Sequence, residues 1–78
     1  MEQKTVVKII RDRGVLKVRD KTGKIKLEFP CGIAPYKKLR TMHNVQFWLV
    51  IFDMEKNTIT FLQEVRSQTW PEKEMEDD

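Results

Sequence analysis

Catalysis needs reactive groups in company, and the candidate groups of this chain stand alone. Cys31, His43 and Ser67 are each the single representative of their type. Cys31 lies between Pro30 and Gly32, a turn setting that reads as a structural thiol rather than a nucleophile at a helix N-terminus. One cysteine makes neither an internal disulfide nor a zinc site built from thiolates. No carboxylate falls at a helical or strand period from His43, and the isolated Gly14, Gly23 and Gly32 form no phosphate-cradling loop. No catalytic residue, metal ligand or cofactor site is expected, and the chain reads as a non-enzyme.

The chemistry that the sequence does offer is cationic. Residues 4–40 carry 12 Lys and Arg against three acids, a local net charge of +9, whereas residues 41–78 carry three bases against eight acids, a net of −5. Such segregation is a prior for docking a polyanion on one surface. Its centre is a pair of alternating segments, Val15-Leu16-Lys17-Val18-Arg19 and Lys24-Ile25-Lys26-Leu27-Glu28-Phe29. Period-two alternation predicts two half-buried strands. One face then carries Leu16, Val18, Ile25, Leu27 and Phe29, and the other Lys17, Arg19, Lys24 and Lys26. A slip of one residue would bury those cations, so the register is firmly specified. Between the segments, Asp20-Lys21-Thr22-Gly23 predicts a hairpin turn with Gly23 in the left-handed region. Lys21 would sit at its tip.

The remaining elements must hold that hairpin. Thr5–Ile10 is β-branched and predicts a first strand, broken at Asp12-Arg13-Gly14. Ala34–Met42 predicts a short helix with Pro35 near its first turn and Tyr36, Leu39 and Met42 toward the core. Its Lys37, Lys38 and Arg40 would extend the basic surface. Val45–Phe52 is the longest apolar run and predicts a fourth strand, with Val45, Phe47, Leu49 and Ile51 on one phase and Trp48, Val50 and Phe52 on the other. A turn follows at 53–57, with Asn57 at positive φ. Thr58–Val65 predicts the fifth strand, with Ile59, Phe61 and Val65 inward. If the second phase of strand four faces outward, Trp48, Val50, Phe52 and Leu62 form an exposed apolar stripe suited to a protein partner. The alternative is that the segment around Trp70 folds back to cover it.

Strand, hairpin, short helix, strand, strand is the order of the five-stranded oligonucleotide-binding (OB) barrel, an all-β fold with one helix between strands three and four. The stretch Val18-Arg19-Asp20-Lys21-Thr22-Gly23-Lys24-Ile25 resembles the V-x-D-x-T-G-x-I hairpin of nucleic-acid OB modules. Over residues 5–66 the layout is similar to that of the translation initiation factor one family, with Gly32 leading into the basic Lys37-Lys38-x-Arg40 and Val45 opening strand four. His43-Asn44 replaces that family's Gly-Asp turn. The resemblance implies RNA or single-stranded nucleic acid as partner, and the small ribosomal subunit in particular. Residues 1–67 are expected to form one barrel, and 68–78 an acidic, disordered tail. No stretch approaches the roughly 20 apolar residues of a membrane span, so no membrane partner is expected. The setting expected is intracellular, cytoplasmic by default and compatible with a nuclear one.

Overall fold

The computed structural model describes residues 2–66, Thr69 and Trp70. Five strands form a single antiparallel sheet: β1 (Glu2–Asp12), β2 (Val15–Asp20), β3 (Lys26–Pro30), β4 (Gln46–Asp53) and β5 (Thr58–Val65), in the spatial order β3-β2-β1-β4-β5. β1 is 11 residues long and serves two partners. Its residues 2–9 pair with β4 and its residues 7–12 with β2, overlapping only around Val7 and Ile9. A strand shared in this staggered way coils the sheet. In a flat sheet the two edge strands would stand about 19 Å apart. Here the rings of Phe29 on β3 and Phe61 on β5 meet edge to face with centroids 6.4 Å apart.

The turns follow from local chemistry. Arg13 and Gly14, at φ +54° and +79°, make the two-residue loop that matches the right-handed twist of β1 and β2. Gly23 and Asn57 both take the positive φ expected of them. In the β4–β5 turn, the Asp53 carboxylate accepts hydrogen bonds from the amides of Glu55 and Lys56 at 3.0 and 3.2 Å.

The expected helix over 34–42 is shorter in the structure. A 3₁₀ turn (Cys31–Ile33) is followed by extended Ala34, and a single α-helical turn, α1 (Lys37–Arg40), begins only after extended Tyr36. Pro35 explains the break, because the residue preceding a proline is forced out of the helical region. Leu39 and Met42 are buried as expected, and Cys31 and Ala34 join them beneath the connection. Tyr36 instead lies half exposed, stacked on Trp48 at 5.4 Å, with its hydroxyl donating to the Phe61 carbonyl.

The inner face buries Val7, Ile9, Leu16, Val18, Ile25, Trp48, Val50, Phe52 and Phe61 around Leu39. The exposed stripe expected on Trp48, Val50 and Phe52 is therefore corrected: these side chains are 4%, 0% and 6% exposed and belong to the main core. The phase is dictated by β1, where Val7 lies opposite Trp48 and shares its face with Ile9 and Val18. Phe47 and Leu49 instead join Val6 in a second, smaller cluster on the outer face, packed against Val65 and Trp70. Val65 was expected inward and is not. Val50 pairs with Phe61 and Leu49 with Gln63, so Leu62 is an extra residue that reverses the alternation of β5 beyond it. Apart from Thr69 and Trp70, the expected acidic tail over 68–78 lies outside the described residues.

Candidate nucleic-acid interface

The β2–β3 ladder places Arg19 opposite Lys26 and Lys17 opposite Glu28. Directly opposed residues point to the same side of a sheet, so the hairpin cations share one face. The row continues across β1, where Lys8 lies between Arg19 on β2 and Phe47 on β4. One line across the outer face thus reads Lys26, Arg19, Lys8, Phe47, Val65. Three cations lead into a buried aromatic, and the Trp70 ring meets Phe47 edge to face at 5.0 Å.

Charges on this face are partly matched. The Arg19 guanidinium contacts Glu28 at 2.8 Å and also donates to the carbonyls of Val18 and Leu27, which holds it flat along the ladder. Lys17 reaches Asp12 at 3.1 Å. Both pairs are largely solvated, and such pairs contribute little to stability. Lys8 and Lys26 have no ion-pair partner among the described residues. A polyanion arriving on the row meets two unmatched ammonium groups flanking a positioned guanidinium.

Lys21 and Lys24 are exposed on the loop joining β2 to β3. The motif around them is a structural clamp. Asp20 is buried; its carboxylate accepts the Thr22 hydroxyl at 2.7 Å and the Ile25 amide at 3.0 Å, while its carbonyl accepts the Gly23 amide at 3.1 Å. Burial alone would raise this carboxyl, but the hydrogen bonds from Thr22 and Ile25, with the nearby amides of Gly23 and of Asp20 itself, outweigh it and leave the pKa below its ordinary value. Ile25 spends its N–H on Asp20, and β3 begins one residue later, at Lys26. The D-x-T-G-x-I pattern therefore fixes the loop that carries the two lysines.

The α1 cations are not brought to the row. Leu39 packs into the inner core, so α1 covers the opposite side of the sheet. Lys38 is paired with Glu64 at 3.2 Å, and Arg40 donates to the Ala34 carbonyl at 2.8 Å. These contacts tie down the connection, leaving Lys37 free to extend into solvent. Beside α1, an open groove of about 490 Å³ is lined by Lys38, His43, Asn44, Val45, Gln46 and Glu64. His43 is exposed there, and among the described residues no group of three potential metal ligands converges. Of the apolar residues considered for a protein interface, only Leu62 at the bulge reaches solvent, 41% exposed.

One residue of the cationic row escaped the sequence reading. Lys8 was hidden in a strand whose apolar residues occupy both phases, although Val7-Lys8-Ile9 alternates locally. The return of the chain at Trp70, expected as a cover for Trp48, Val50 and Phe52, packs instead on Phe47 of the other row. No family model matches this chain, and neither curated proteins nor solved structures show significant similarity to it.

Proposed function

We propose that this chain is a small OB-type barrel that binds RNA or single-stranded nucleic acid on the outer face of β1, β2 and β3. Support for the barrel comes from the strand order, from the connection folded over the inner face, and from the contact of Phe29 with Phe61 across the sheet edges. Oligonucleotide ligands of such barrels meet the face of strands two and three. The single observation that carries the binding proposal is the cross-strand row Lys26-Arg19-Lys8, continued along β2 by Lys17.

Recognition here is dominated by phosphates. Neutralising about three phosphates on a single strand releases counterions and gives a slope of log K against log salt near −2. Affinity for a single-stranded RNA oligonucleotide is then expected to fall by about 20-fold between 50 and 200 mM salt. A fluorescence-anisotropy titration across salt measures this, and a flat response rejects the proposal. The initiation-factor-like layout makes the small ribosomal subunit the natural first target, tested by cosedimentation. The rival protein-interface reading loses three of its four residues to the core, and nothing else favours it.

A further inference from the structure

The contact between Trp70 and Phe47 does more than complete a small core. Phe47 is the immediate cross-strand neighbour of Lys8, so Trp70 brings the chain onto the outer face beside the cationic row. The residues that follow, 71–78, contain Glu72, Glu74, Glu76, Asp77 and Asp78 against Lys73 alone, a net charge of −4. Residues 1–70, in contrast, carry 14 bases against seven acids, a net of +7. The most acidic stretch of the sequence therefore follows directly on a residue, Trp70, that packs at the edge of the cationic row.

The distances allow the two to meet. From β4 across to β3 is three strand spacings, about 14 Å. Eight residues extend to about 26 Å, so carboxylates along 72–78 can reach Lys8, Arg19 and Lys26 together. Lys8 and Lys26, without ion-pair partners among the described residues, are the groups left to receive them.

We infer that the acidic segment 72–78 docks on the Lys26-Arg19-Lys8 row and competes there with an incoming nucleic acid. This rests on the proposed function for its competitive half, whereas the intrachain contact stands on the anchor, the charges and the reach. A short tether gives an effective concentration in the millimolar range. An intrinsic dissociation constant about two to nine times below that concentration would then lower the apparent affinity for nucleic acid by roughly three- to tenfold. Salt dependence shifts as well. A ligand that must displace bound carboxylates releases fewer counterions in total, so the intact chain shows a shallower salt slope than one whose segment is neutralised.

Carbodiimide crosslinking of the full chain, mapped by mass spectrometry, reads the contact without any ligand. Amide bonds from carboxylates of 72–78 to Lys8 and Lys26 are expected, and excess single-stranded RNA oligonucleotide should suppress them. In parallel, a full-length E72Q/E74Q/E76Q/D77N/D78N variant is titrated with the same labelled RNA. Three- to tenfold tighter binding with a steeper salt slope supports competition. Absence of crosslinks to Lys8 and Lys26, or unchanged RNA affinity in the variant while the wild-type chain binds, overturns the inference and leaves the proposed function intact. If neither protein binds RNA, the proposed function fails and competition fails with it; crosslinks that persist then show docking alone.

Discussion

The outer face of the sheet is wet over β2 and β3 and dry around Phe47 and Leu49 of β4, although the same strand, β1, borders both halves. On the wet half, Lys17, Arg19, Lys26 and Glu28 alternate with buried Leu16 and Val18, and the charged side is at least partly exposed. On the dry half, Val6, Phe47 and Leu49 are buried beneath Val65 and Trp70. β1 joins the two through Val6 and Lys8, two residues apart on the same side. An apolar surface laid beside a cationic one positions a segment by burial next to charges that remain available. Trp70 is placed in that way.

This contrast can be broken most easily at the aromatics. Trp48→Ala opens the main core and is expected to cost about 4 kcal/mol, whereas Trp70→Ala uncovers only the smaller cluster and should cost about 1.5 kcal/mol. Urea denaturation followed by circular dichroism measures both. Equal costs would mean that the outer cluster is no satellite but half of one core.

The wet half has its own point of failure at Asp20. Asp20→Asn removes a charged acceptor from the Thr22 hydroxyl and the Ile25 amide and is expected to cost about 2 kcal/mol at neutral pH. Because the folded carboxyl titrates below its ordinary value, its contribution is fully present above the unfolded pKa of about 3.9 and is lost as pH falls through the folded value. The gap between wild type and variant should therefore close below about pH 4. A gap that persists at pH 2 would mean that the carboxylate charge has no part in the clamp.

A smaller effect of opposite sign lies at the turn between β1 and β2. Arg13 holds φ +54° with a side chain that disfavours it. Arg13→Gly should raise stability by about 0.5 kcal/mol, the relief of strain being offset in part by the entropy of the unfolded glycine. A loss of stability would show that the Arg13 side chain contributes to the hairpin.

The same contrast explains what could be read from the sequence. Where one face meets water, alternation names that face: the β2–β3 hairpin and its outward Lys17, Arg19 and Lys26 follow from Val15 to Phe29, although Lys24 and Ile25, expected in the strand, lie in a longer loop and the pairing is shifted by two residues. Where both faces are buried, alternation loses its meaning. β4 is apolar on both phases, so which row faces the core depends on its pairing with β1, a long-range fact. The bulge at Leu62 then reverses Val65, and a single inserted residue leaves no compositional trace. Pro35 was visible as a breaker but was placed inside the helix that it prevents. The basic residues on α1 looked equivalent to those of the hairpin because charge counts carry no direction. Packing of Leu39 sends them to the other side of the sheet.

That last separation offers the most direct test of the account. Two charge reversals of equal size, Lys8→Glu with Arg19→Glu and Lys26→Glu against Lys37→Glu with Lys38→Glu and Arg40→Glu, change the net charge identically but on opposite sides of the sheet. Anisotropy titration of a single-stranded RNA oligonucleotide at 100 mM salt should show a loss of at least about 30-fold for the first set and less than about threefold for the second. Equal losses would mean that net charge alone draws the RNA, and a larger loss from the α1 set would move the interface to the other side of the sheet.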